Sequence, residues 1–156
     1  MKKVFHFDNP RAEYRCDAAV LWCFDHRFEL VHRKFLKWLK VENSDPIEIA
    51  GGAKVLASPE HESDREFILD QIQKSIRLHK TTRTIMMVHS DCGAYGGLAG
   101  GFKGDAAAEA IHHEAELRRA AEFLHQAIPG IEIEAYFVDF VGVWQVDLAK
   151  NGKSAP

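Results

Sequence analysis

Two short stretches carry residue types able to do chemistry together. "CFDHR" places Cys23, Asp25 and Arg27 at alternate positions, and "HSDCG" places Cys92 three residues after His89. An extended backbone sends every second side chain the same way, which would turn Cys23, Asp25 and Arg27 to one side. The offset between His89 and Cys92 lets both reach one point. Two thiolates and an imidazole form a soft donor set that suits tetrahedral zinc. Three protein ligands leave a fourth position open, which separates a catalytic zinc from a structural one. Asp25 is then either the fourth ligand or the acceptor of a hydrogen bond from water at that position. In the second case Arg27, a planar fork matched to carboxylate, holds Asp25 off the metal. Taken singly, Cys23 reads as a buried structural cysteine, His89 as a hydrogen-bonded strand-end histidine, and Asp25 with Arg27 as a surface ion pair. The conjunction points to a metal.

The elements must bring these stretches together. The apolar run over 17–25 reads as a buried strand. From 27 to 40, Phe28, Leu30, Val31, Phe35, Trp38 and Leu39 recur at helical spacing. A second strand is read over 46–57, running into a glycine turn, after which Ser58 as N-cap and Pro59 open a helix over 63–80. A third strand is read over 83–89. Asp105 caps a helix over 106–127, which Pro129 and Gly130 stop. Strands four and five are read over 131–140 and 141–148. This alternation predicts a single α/β domain over 1–156, with a short N-terminal segment over 1–16 and a flexible tail over 149–156. Its sheet has four parallel strands in the order 2-1-3-4, an antiparallel fifth strand at the edge, and helices on both faces. Ligands bind such sheets beyond the carboxyl ends of the strands, where the order reverses. Cys23 and His89 end the neighbouring strands one and three, so both stretches open into one crevice.

Composition narrows the class. The 156 residues are 46% hydrophobic and 28% charged, with a net charge of −3, an ordinary globular balance without the basic excess of a nucleic-acid binder. No apolar run reaches the roughly 18 residues of a membrane span. The N-terminus lacks the apolar core of a secretory signal. Three irregularly spaced cysteines make a poor disulfide framework and fit a reducing compartment, so the expected location is the cytoplasm.

Cys-x-Asp-x-Arg followed by His-x-x-Cys-Gly resembles the zinc signature of the β-class carbonic anhydrases, and the likeness runs from about Asp17 to the closing "YFVDFVGVWQVD". The resemblance implies zinc on Cys23, His89 and Cys92, with Asp25 and Arg27 as the dyad that gates the fourth position. It implies reversible hydration of carbon dioxide to bicarbonate by metal-hydroxide attack, and assembly as a homodimer or higher oligomer. It also admits hydrolysis of carbon disulfide or carbonyl sulfide at the same site, or a zinc-binding module without turnover. The chain departs from the family in its short segment before Cys23, in Glu48 and Ile49 ahead of Ala50 and Gly51, and in a long interval from Cys23 to His89.

Other motifs are weaker. The glycines from Gly93 to Gly104 sit where a phosphate loop belongs but match neither nucleotide-binding spacing. They read as a mobile flap that lets the backbone pass close to the metal, with Gly93 and Tyr95 lining the pocket. "IHHEAE" does not match H-E-x-x-H, so His112, His113, Glu114 and Glu116 read as a solvated helix face. Cys16 has no partner at ligand spacing and reads as a plain thiol.

Overall fold

Residues 1–149 are described in the computed structural model. Five strands, β1 (Ala18–Trp22), β2 (Ser44–Glu48), β3 (Arg83–His89), β4 (Glu132–Val138) and β5 (Val143–Gln145), form one sheet in the order β2-β1-β3-β4-β5. The first four are parallel and β5 runs antiparallel to β4, the topology expected from the order of elements. The helices are α1 (Glu29–Trp38), α2 (Lys54–Ala57), α3 (Glu62–His79), α4 (Gly97–Phe102) and α5 (Ala106–Ala127).

The pleat divides the sheet's side chains between two cores. Val20, Trp22, Ile85, Met87 and Val138 pack on one face with Phe28 and with Val31, Phe35 and Leu36 of α1. Leu21, Met86, Val88, Ala135 and Phe137 pack on the other with Ile68 and Ile72 of α3 and Leu117 and Leu124 of α5. Each fully buried large aliphatic chain contributes roughly 1.5–3 kcal/mol. β3, the sheet's centre, is buried from Thr84 to His89 and ends on the site. No helix among the described residues is long and apolar enough to cross a membrane.

Several boundaries differ from the sequence reading. The first strand stops at Trp22, and the next helix opens with a 3-10 turn, His26–Phe28, capped by the Asp25 side chain. The second strand ends at Glu48, not 57, because Gly51 and Gly52 take φ of +77° and +53°, and two left-handed residues in succession cannot extend a strand. Ser58 does not cap α3; it ends α2, its hydroxyl donates to Glu116, and His61 precedes α3 without a side-chain cap bond. The glycine stretch is a 3-10 turn, Gly93–Tyr95, followed by α4, rather than an open loop. The last two strands are shorter than read. The bounds of β3 and α5, and the Asp105 cap on Ala107 and Ala108, are as read. Of the expected tail, 150–156 lies outside the described residues.

Candidate metal centre

Cys23 follows β1 directly, His89 is the last residue of β3, and Cys92 is the N-cap of the 93–95 turn. The two sulfurs lie 4.0 Å apart. With a His89 ring nitrogen they form a group whose ligand atoms all fall within 4.8 Å of one another. All three residues are buried, at 4%, 0% and 2% exposure. His89 Nδ1 donates to the Ser90 carbonyl at 2.8 Å, which leaves Nε2 with a free lone pair. That Nε2 is buried without a hydrogen-bond partner among the described residues, an expensive state for a polar atom unless a cation takes the lone pair. The residues present therefore fit a thiophilic divalent metal.

The backbone sharpens this fit. Amides of Gly51 and Asp25 point at the Cys23 sulfur, and those of Ala94 and Gly51 at the Cys92 sulfur. Hydrogen bonding from the Cys92 thiol pulls Cys23 down to about 4, and the bond to Cys23 together with burial pushes Cys92 up. One thiolate thus forms readily, and a divalent cation would stabilise the second. Glycine is required at Gly52, where a Cβ would meet the Met87 carbonyl oxygen at 2.4 Å and the Cys23 nitrogen at 3.1 Å. This close approach beside the ligands belongs to Gly52, not to the 93–104 glycines.

Asp25 and Arg27 meet by a route other than strand alternation. The chain turns at Asp25, whose Oδ1 accepts the Arg27 amide at 3.0 Å, and the guanidinium folds back over the carboxylate. Arg27 Nε lies 3.0 and 3.1 Å from the two oxygens, and Nη2 2.7 Å from Oδ2. These bonds hold the Asp25 carboxyl at about 2. Asp25 Oδ2 stands 3.8 Å from His89 Nε2, beside the ligand group but not within it.

Residues missed in the sequence brace this arrangement. Asp91 accepts Arg27 Nη1 at 2.8 Å on its carboxylate and Nη2 at 2.9 Å on its carbonyl, while its Oδ1 accepts the Leu98 amide at 2.8 Å. Its position inside "HSDCG" was the available signal. Glu109, 1% exposed, accepts the Ser90 hydroxyl at 2.5 Å and the Asp91 amide at 2.7 Å. His113 and Glu116 are fully buried too, which corrects the solvated-face reading of "IHHEAE". They share the inward stripe of α5 with Leu117, Ala120 and Leu124. The Tyr95 ring packs edge-on against His113 at 4.5 Å and its hydroxyl donates to Glu116 at 3.2 Å, while Gly93 is exposed. A cavity of about 360 Å3 lined by Ala50, Lys54, Ser58 and Ala94 opens beside the ligands, although none of the three lines it.

Residues 14–150 match the family described as "Putative carbonic anhydrase". No curated protein matches the sequence. Among solved structures, the carbonic anhydrase of Streptococcus mutans superposes with a TM-score of 0.58 at 18% identity, covering 91% of this chain and 88% of that one. The β-carbonic anhydrase of Aspergillus fumigatus gives 0.58 at 16% identity, covering 88% and 78%. A carbon disulfide hydrolase gives 0.55 at 13% identity, covering 92% and 88%. At these identities the superpositions establish a shared fold, and the match over 14–150 establishes kinship: the chain is a divergent member of the β-carbonic anhydrase family.

Proposed function

We propose that Cys23, His89 and Cys92 hold zinc and that the protein reversibly hydrates carbon dioxide to bicarbonate. The observation that carries this is the unpartnered His89 Nε2 facing two buried thiols. Zinc so held would supply the Lewis acidity that makes water a nucleophile near neutral pH. Asp25 remains ionised and, tied by Arg27, accepts a hydrogen bond from the reacting water on Oδ2. The fork denies Asp25 a place as fourth ligand. Phe28, 4.7 Å from the His89 ring, and Phe140, 5.0 Å from Phe28, supply an apolar wall suited to a nonpolar linear substrate.

The similarity to a carbon disulfide hydrolase supports a second reading, hydrolysis of carbon disulfide or carbonyl sulfide at the same site. A homo-oligomer is proposed as well. Phe24, Phe140, Val141 and Trp144 are exposed apolar side chains, and β-carbonic anhydrases from Sordaria macrospora are described as tetrameric. The free cysteines suit a reducing cytoplasm.

The test is stopped-flow hydration by the zinc-loaded protein, with sulfide release from carbon disulfide and carbonyl sulfide measured in parallel and Cys92→Ala as control. Hydration well above the variant supports the first reading, and sulfide release alone supports the second. Rates equal to the variant's on all three substrates defeat both.

A further inference from the structure

A second group of soft and hard donors lies at the opposite end of the sheet. Cys16 lies two residues before the start of β1, Asp45 lies on β2 opposite Ala19, and His79 is the last residue of α3. Their ligand atoms all fall within 4.8 Å of one another. Cys16 Sγ is 3.4 Å from Asp45 Oδ1, and Cys16 is buried at 7% exposure. We propose that Cys16, Asp45 and His79 form a second metal site, one that takes a divalent cation of zinc type and fastens the N-terminal segment to the sheet.

Three features carry this. First, the donor set of thiol, imidazole and carboxylate is one that zinc accepts. Second, His79 Nδ1 stands 2.8 Å from both Asp45 oxygens. The ring and both carboxylate oxygens therefore already face one another across the gap a cation would enter. Third, supporting partners are in place for His79 and Asp45. Tyr14 OH lies 2.9 Å from His79 Nε2 and can accept a hydrogen bond from an Nε2–H, the tautomer that leaves Nδ1 to ligate. The Ser75 hydroxyl donates to Asp45 Oδ2 at 2.6 Å and is itself 2.8 Å from Thr81 Oγ1. The Cys16 amide donates to the His79 carbonyl at 3.1 Å, so backbone already joins two of the ligands.

Zinc bonds of about 2.3 Å to sulfur and about 2.0–2.1 Å to nitrogen or oxygen require ligand separations somewhat over 3 Å. The Asp45–His79 pair therefore opens by about half an ångström on binding. The Cys16 thiol loses its proton to solvent, and the fourth position falls to water, since His79 and Asp45 are each about a quarter exposed. This corrects the reading of Cys16 as a thiol without partners: Asp45 and His79 are distant in sequence but adjacent in space.

The test is cobalt(II) titration of the reduced, metal-stripped full chain, following thiolate-to-cobalt absorption and final stoichiometry. Wild type should bind about two ions per chain, and Cys92→Ala, which removes the first centre, about one. Cys16→Ala and His79→Leu should each bind about one while keeping wild-type activity on whichever substrate the enzyme turns over. Cobalt-thiolate absorption in Cys92→Ala that vanishes on adding Cys16→Ala would assign the sulfur. The proposal is overturned if Cys92→Ala, folded by circular dichroism, binds no ion with thiolate absorption, or if Cys16→Ala and His79→Leu bind as many ions as wild type. The Cys92→Ala readouts are taken without the first centre, so failure of the hydration reading would leave them unchanged.

Discussion

The Glu109 carboxylate accepts the Ser90 hydroxyl at 2.5 Å from a position 1% exposed to solvent. Ser90 also offers the carbonyl that receives His89 Nδ1, so one carboxylate on α5 fixes the residue that orients the imidazole. Glu109→Ala strands the Ser90 hydroxyl and the Asp91 amide and should cost about 3 kcal/mol, since each buried unsatisfied group costs roughly 1–3 kcal/mol. Metal affinity should fall about 10–100-fold, as for other outer-shell losses. Urea unfolding and competition against a metal chelator measure the two effects separately. An unchanged affinity would show that Ser90 holds its place without Glu109.

Arg27 joins Asp25 to Asp91, and only a fork of its shape reaches both. Arg27→Ala should keep the metal and slow turnover on the order of a hundredfold, because Asp25 is then free to swing. Arg27→Lys should restore little, for a single ammonium cannot make the paired contacts. Metal content by elemental mass spectrometry and steady-state rates decide this. Loss of metal in either variant would place Arg27 in the structural support of the site instead.

Much of this architecture was legible before any coordinates. The apolar run in "RTIMMVH" and the Asp105 cap mark β3 and α5 because each rests on local rules of composition and capping. Cys23, His89 and Cys92 were legible as a set because strand ends converge in a doubly wound sheet. Asp45 and His79 were not: they meet Cys16 only through the β1–β2 register and the point where α3 ends. The α5 stripe misled for another reason. Glu109, His113 and Glu116 occupy inward positions beside Leu117 and Leu124, and residue type suggested solvent where spacing pointed to the core. The route of Arg27 was hidden because a side-chain cap at Asp25 turned the backbone where alternation would have continued it.

Gly52 sits at φ +53° with the Met87 carbonyl oxygen 2.4 Å from where a Cβ would stand. Neither the oxygen nor the Cys23 nitrogen opposite can retreat, because both belong to backbone at the ends of central strands. Gly52→Ala should therefore destabilise the fold by about 1–3 kcal/mol, the range of overpacking and left-handed strain. It should weaken metal binding too, by moving the neighbouring Gly51 amide that points at both sulfurs. Gly93→Ala, with open space around its Cβ, is the matched control and should leave stability within about 0.5 kcal/mol. Equal melting of the two variants would show that the turn shifts freely.

His113 is fully buried between aromatic rings, with Phe137 stacked 5.3 Å away, and neither ring nitrogen has a hydrogen-bond partner among the described residues. Burial, with the nearby His112 and His89, lowers it from 6.5 to about 4, and the charge of Glu116 only partly opposes this. A histidine depressed in the folded state stabilises the fold above its unfolded value and forfeits that contribution as pH falls. Below about 6.5 the unfolded chain takes a proton that the folded chain refuses until about 4. At about 1.36 kcal/mol per unit, the full loss across this window is about 3 kcal/mol. His113→Phe keeps the aromatic packing and removes the titration, so the variant should lose less stability than wild type between pH 7 and pH 4.5. Urea unfolding of the metal-free proteins at both pH values measures the difference without interference from ligand protonation in a bound site. Some slope persists in the variant, because burial lowers His32 as well. If the two proteins lose stability in parallel, His113 takes up its proton without unfolding, and a buried carboxylate such as Glu109, 3.8 Å away, must be what pairs with the charged ring.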